Sequence, residues 1–172
     1  MKNIDGSTLK LNWLEFLPVL FLMVLLAVTA CTSIDCPANQ SVNVRFVLKG
    51  EVDTLRDTMT IRAIRQDGTD TIVYNKGVNI TFFSIRMSYT QDIDRLALLF
   101  KAKDGREWKD TISLSKTNSP HFEAVDCSPA YFHTLTSVNF TSRYISDAVI
   151  NNPNVDYDTN KEHIYLYLRP HD

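Results

Sequence analysis

The chain has 172 residues, enough for one ordinary domain with a real core. Its 18 basic and 20 acidic residues are mixed along the sequence, which leaves no basic stripe for nucleic acid and no acidic solvating tail. A hydrophobic content of 44 % excludes a disordered chain.

The N-terminal elements come first. Lys2 and Lys10 sit in a polar lead-in, offset by Asp5 and Glu15. An uncharged run, Phe16 to Val28, follows. At about 13 residues it falls short of the roughly 20 needed to cross a bilayer as a helix. Pro18 near its start also weakens a stable span. A charged start, a short apolar middle and a small residue at the end describe a secretory signal over residues 1–30. An uncleaved membrane anchor is the alternative.

Val28 to Cys31, "VTAC", resembles the lipobox of bacterial lipoproteins: aliphatic, small, small, cysteine. The resemblance implies a diacylglycerol on Cys31, cleavage before it and acylation of the new amino terminus. Two or more acyl chains hold a protein stably at a membrane, where one holds it only marginally. Thr32, not an aspartate, stands after the cysteine, which is similar to lipoproteins sorted to the outer membrane. Only Asp35 follows nearby, so no acidic cluster resembles a surface-export signal. The expected location is the periplasmic face of the outer membrane. Removing residues 1–30 leaves the net charge at −2.

Three cysteines are present: Cys31, Cys36 and Cys127. With lipid on Cys31, the other two most simply form one disulfide in an oxidising periplasm. Closing a loop of about 90 residues would stabilise by at most roughly 4–5 kcal/mol on the chain-entropy model. Two free buried thiols, a Cys31/Cys36 redox pair and a metal site are the rivals. A redox pair is usually spaced by two residues, not four, and zinc needs about four ligands. Residues 31–40 then form the anchor and a short tether. An extended chain places Cys36 within roughly 17 Å of Cys31.

Residues 41–172 read as one all-β domain, an antiparallel β-sandwich of about nine or ten strands. In 41–48, Val42, Val44, Phe46 and Leu48 point one way and Ser41, Asn43 and Arg45 the other. Strand-like runs follow at 57–65, 69–75, 79–89, 95–103, 108–116, 121–127, 131–142, 143–150 and 162–169. Short strands with frequent turn signals argue for a sandwich or barrel. A three-residue loop, Lys103-Asp104-Gly105, sets Phe100 opposite Trp108 and Leu96 opposite Ile112. Gly105 then takes the left-handed position. The loop Gln66-Asp67-Gly68 likewise sets Ile61 opposite Val73. A one-residue slip would lose the matching faces.

Four histidines, His121, His133, His163 and His171, form no metal-ligand spacing. His133 and His163 lie within strand runs and are expected to face solvent or pack at an edge. The alternate polar residues Asp156, Asp158, Asn160 and Glu162 look like the front of a calcium loop. Lys161 in place of glycine and Tyr167 in place of the final glutamate break that pattern, which leaves a polar turn. Asn151-Asn152 before Pro153 also reads as turn material. His163, Tyr165 and Tyr167 share a strand face, and such a row stacks on sugar rings where it is exposed. No Gly-x-Ser-x-Gly elbow occurs, and five glycines build no phosphate loop. No cofactor, metal or nucleic-acid partner is expected, and no enzyme.

Asp-Thr-aliphatic recurs at 53–55, 57–59, 70–72 and 110–112. It resembles the acceptor motif for periplasmic protein O-glycosylation in Bacteroidetes, which would place sugar on Thr54, Thr58, Thr71 or Thr111. The alternative is structural, since Asp closes a turn and Thr suits a strand start. "CTSIDC", these tripeptides, "HFEAVDC", "NNPNV" and the final "HIYLYLR" together resemble a family of uncharacterised Bacteroidetes lipoproteins with a domain of unknown function. That family supplies no catalytic residues. The leading expectation is a lipid-anchored envelope module for binding or assembly, held to the membrane at Cys31, with a protein partner in the envelope. A glycan-binding accessory protein is the alternative. A hydrolase lacks a recognisable nucleophile and base.

Overall fold

The computed structural model describes Pro18, Phe21, Cys36 and residues 41–170. Pro18 and Phe21 are helical. Cys31, the expected lipidation site, lies outside the described residues, as does His171. The chain divides into Met1–Asp35 and Cys36–Asp172, and the second unit holds all the strands that follow.

Ten strands run in chain order: β1 (Asn43–Lys49), β2 (Thr58–Ile64), β3 (Asp70–Gly77), β4 (Phe82–Arg86), β5 (Ile93–Lys101), β6 (Glu107–His121), β7 (Ala130–Phe140), β8 (Ile145–Ile150), β9 (Asn154–Val155) and β10 (Ile164–Leu168). They form a four-stranded sheet, β4-β1-β10-β8, and a six-stranded sheet, β3-β2-β5-β6-β7-β9. The all-β, two-sheet expectation holds. One pairing is not antiparallel: β1 and β10 run parallel, with Phe46 opposite Ile164. Everything from β2 to β9 lies between them in sequence, and a parallel pair needs such a long connection.

Alternation sorts the side chains. Val42, Val44, Phe46 and Leu48 of the first run are all buried, as expected. Met59 and Ile61 of β2, Leu96, Leu98 and Phe100 of β5, Ile112 and Leu114 of β6, and Ile164, Leu166 and Leu168 of β10 join them in one core. Burying each such side chain contributes about 1.5–3 kcal/mol. Phe46 stacks on Phe83 across the β1–β4 pair, with centroids 4.6 Å apart.

The β5–β6 hairpin has the expected register, with Leu96 opposite Ile112 and Phe100 opposite Trp108. Ala102 N–H donates to the Arg106 carbonyl at 2.9 Å, and Gly105 has φ of 92°. The β2–β3 loop closes as expected, with Arg65 N–H on the Thr69 carbonyl at 2.8 Å and Gly68 at φ 82°. Its pairing differs further along: Ile61 faces Tyr74, not Val73, because the register shifts there. The irregularity turns Tyr74 inward against Phe83, at 6.0 Å, and leaves Val73 exposed. Gly77 makes room for that ring, since a Cβ there would lie 2.3 Å from it.

The expected strand at 121–127 is the other correction. β6 ends at His121, and the chain then turns, with Cys127 N–H on the Ala124 carbonyl. Phe122 and Val125 stay exposed, so no apolar face holds this run in a sheet. Cys127 is buried and forms a disulfide with Cys36, with Cα atoms 5.6 Å apart. The free-thiol, redox-pair and metal alternatives for Cys36 give way to it.

The chain passes from β7 in one sheet to β8 in the other through Thr141–Tyr144. Asp110, fully buried on β6, fixes this corner. Its carboxylate accepts from Thr141 Oγ1 at 2.7 Å and from the N–H groups of Arg143, Tyr144 and Ile145 at 2.9, 2.7 and 2.9 Å. Burial pushes its pKa up, but these four donors outweigh that and hold it below the usual carboxylate value. Tyr144 stacks on Trp108 at 5.1 Å and meets Phe100 edge-on at 4.8 Å. Replacing Asp110 with Ala strands several buried donors, so it should cost about 3 kcal/mol or more in urea unfolding at pH 7. A loss below about 1 kcal/mol would show that the corner holds without the carboxylate.

Candidate functional site

The four Asp-Thr sites do not converge. Thr71 is exposed on the edge strand β3, and Thr54, Thr58 and Thr111 are half-buried. Their aspartates divide two and two. Asp53 and Asp70 are exposed, and Asp70 pairs with Arg62 at 3.1 Å. Asp57 and Asp110 are buried, and both hold Tyr144: Asp57 accepts from its hydroxyl at 3.3 Å, Asp110 from its N–H.

The histidine expectation fails. His133 and His163 are both buried. His163 Nδ1 accepts from Arg45 N–H at 3.0 Å, and the His163 backbone N–H donates to the Arg45 carbonyl at 3.0 Å. It therefore caps the start of the parallel β1–β10 pairing from within. The row His163, Tyr165 and Tyr167 is thus no exposed platform. Tyr165 and Tyr167 are half-buried, with the Lys49 ammonium 4.8 Å from the Tyr165 ring. The 156–162 segment is a polar turn, as expected: Asp156 accepts from Asp158 N–H, Asp158 from Asn160 N–H, and Lys161 pairs with Asp156. No group of three or more His, Cys, Asp or Glu among the described residues has metal-site geometry.

Sequence reasoning missed a buried polar cluster at the end of β6. Lys116 is buried, pairs with Asp94 at 3.2 Å and donates to the Gln91 carbonyl. Asn118 Nδ2 donates to the same carbonyl at 3.1 Å, and its Oδ1 lies 2.8 Å from His133 Nδ1. Burial first, then the nearby Lys116 charge, lowers the His133 pKa to about 4. Burial raises the Asp94 pKa despite Lys116. Strand parity was the available signal. Even positions 108–116 face inward, which puts Asp110 and Lys116 where each needs a partner.

A broad recess lies on the opposite, outer face of the six-stranded sheet. Thr58, Thr60 and Arg62 alternate with buried Met59 and Ile61, and Leu99 and Lys101 with buried Leu98 and Phe100. Register aligns Thr60, Leu99 and Lys109 in one row, and Thr58, Lys101 and Glu107 in the next. Ile72 lies beside Arg62 on the edge strand. With Asn75, Lys76 and Arg143 these residues border a groove of about 520 Å3. Five cations and one carboxylate line it. Lys101 pairs with Glu107 at 2.7 Å, and Arg62 with Asp70 just outside. Among the described residues no carboxylate comes within 4 Å of the Lys76, Lys109 or Arg143 side-chain nitrogens. The arrangement gathers positive charge on an open face, and its lining residues include no nucleophile–base pair.

A family model described as a family of unknown function (DUF6452) matches residues 58–168. That span runs from the first residue of β2 to the last of β10, and the chain belongs to this family. No curated protein and no solved structure matches it.

The buried His133 makes stability depend on pH. Its folded pKa lies below the ordinary 6.5, so the unfolded chain binds the extra proton. The contribution is complete above pH 6.5 and is lost as pH falls towards 4. Thermal unfolding should show the melting temperature dropping across that window. His133→Gln should flatten the drop, and an unchanged slope would remove His133 as its source.

Proposed function

We propose that this member of the DUF6452 family is a lipid-anchored module of the bacterial cell envelope, acting by binding rather than by catalysis. The observation that carries this reading is the disulfide. Cys36, five residues after the lipobox cysteine, is tied directly onto the sandwich. Acylation of Cys31 would then hold the domain on a short leash at the membrane surface, with the periplasmic face of the outer membrane as its place. The cationic outer face supports a binding role, because it gathers charge without reactive groups.

Membrane fractionation of the source bacterium tests the division of labour between the cysteines. Cys31→Ser should release the protein from membranes or leave it unprocessed. Cys36→Ser should leave it membrane-bound but lower its stability by roughly 2–5 kcal/mol. Equal loss of membrane attachment in both variants would defeat the reading.

O-glycosylation at the Asp-Thr sites is a second proposal, favoured by the exposure of Thr71 on an edge strand beside an exposed Asp70. The intact mature protein should weigh more than its lipidated polypeptide, and Thr71→Ala should remove most of the excess. A mass equal to the lipidated polypeptide alone would sink this idea.

A further inference from the structure

We infer that the groove on the outer face of the six-stranded sheet binds an anionic sugar, a pyranose carrying a carboxylate or a phosphate. The inference rests on the reading of this domain as a binding module, but not on its anchor. Charge is the first argument. Basic and acidic residues are equal in number between residues 41 and 170, yet five cations and one carboxylate line this recess. Lys76, Lys109 and Arg143 bring charge that no described carboxylate neutralises within 4 Å. A cationic concavity concentrates anions.

Shape and lining give the second argument. About 520 Å3 falls within the range of small-ligand sites. Ile72 and Leu99 offer apolar surface, while Thr60 and Asn75 offer hydroxyl and amide groups. A pyranose presents C–H faces and hydroxyls together, so it uses both kinds of lining, and its acidic substituent meets Lys109 or Arg143. An acidic peptide fits less well. Strand addition, one common way to bind an extended peptide, needs unpaired main-chain groups at a sheet edge. The middle of this groove is built on β2, β5 and β6, whose backbones are already paired on both sides.

Affinity electrophoresis of the full chain in neutral detergent tests this, with polygalacturonate, phosphomannan or neutral dextran in the gel. Polygalacturonate or phosphomannan should retard the protein and dextran should not. The stronger of the two acidic polymers identifies the substituent as carboxylate or phosphate. Lys109→Gln combined with Arg143→Gln should weaken retardation about tenfold or more. Arg65→Gln with Arg86→Gln, which removes equal charge from residues outside the groove, should change it less than about twofold. Lys76→Gln gives an independent measure should the double variant fold poorly. Three results would overturn the inference: no retardation by either acidic polymer, equal weakening by the control pair, or equal retardation by polyglutamate. None of them bears on the membrane fractionation of Cys31→Ser, so the site and the anchor fail separately.

Discussion

The buried carboxylate of Asp110 is the interaction on which the sandwich depends. β7 belongs to one sheet and β8 to the other, so the chain must change layers within a few residues. Where the chain re-enters the interior at Tyr144 and Ile145, their N–H groups would be stranded without a partner. Asp110 accepts from both, from Arg143 N–H and from the Thr141 hydroxyl. The Thr111 backbone completes the corner, giving its N–H to Thr141 Oγ1 and accepting from Thr141 N–H. With the backbone fixed, Tyr144 is aimed between Phe100 and Trp108, and Asp57 receives its hydroxyl. One charge thus satisfies the turn and positions the aromatic ring that fills the space between the layers.

Charges elsewhere follow the same division between inside and outside. Those on inner positions are answered: Asp110 by four donors, Lys116 by Asp94 and the Gln91 carbonyl. A buried charge without a partner costs several kcal/mol, so folding selects such pairs. Outer positions carry no such demand, because water solvates an unpaired lysine at little cost. Lys76, Lys109 and Arg143 are therefore not explained by the stability of the fold. Their gathering on one face of the sheet is what the inferred anionic ligand would account for.

Much of the fold was legible because strand parity is a strong signal. The β1 face and the β5–β6 register follow from alternation and from a glycine at a left-handed loop position. The misreadings share one cause: each depended on which neighbour the fold supplies or withholds, which alternation does not encode. His163 is buried because Arg45, 118 residues earlier, hydrogen-bonds to its ring. Tyr74 displaces Val73 because Phe83 lies behind it. The run 121–127 is apolar enough for a strand but has no partner to pair with. The groove was invisible for a similar reason. Its cations come from β2, β3, β5, β6 and the β7–β8 corner, and only the sheet order brings them together.

The Asp-Thr-aliphatic repeat shows how one short pattern can serve two physical ends. At 57 and 110 the aspartate is buried and holds Tyr144, and the following threonine is half-buried. At 70 the aspartate faces solvent and pairs with Arg62, with both side chains 40 % exposed or more. An exposed pair of this kind contributes only about 0–1 kcal/mol. An incoming anion can therefore displace Asp70 from Arg62, or Glu107 from Lys101, without unsettling the fold. On the proposed reading, the two carboxylates nearest the groove would be weak internal competitors, each holding one cation in an exposed pair that a ligand with better geometry could replace.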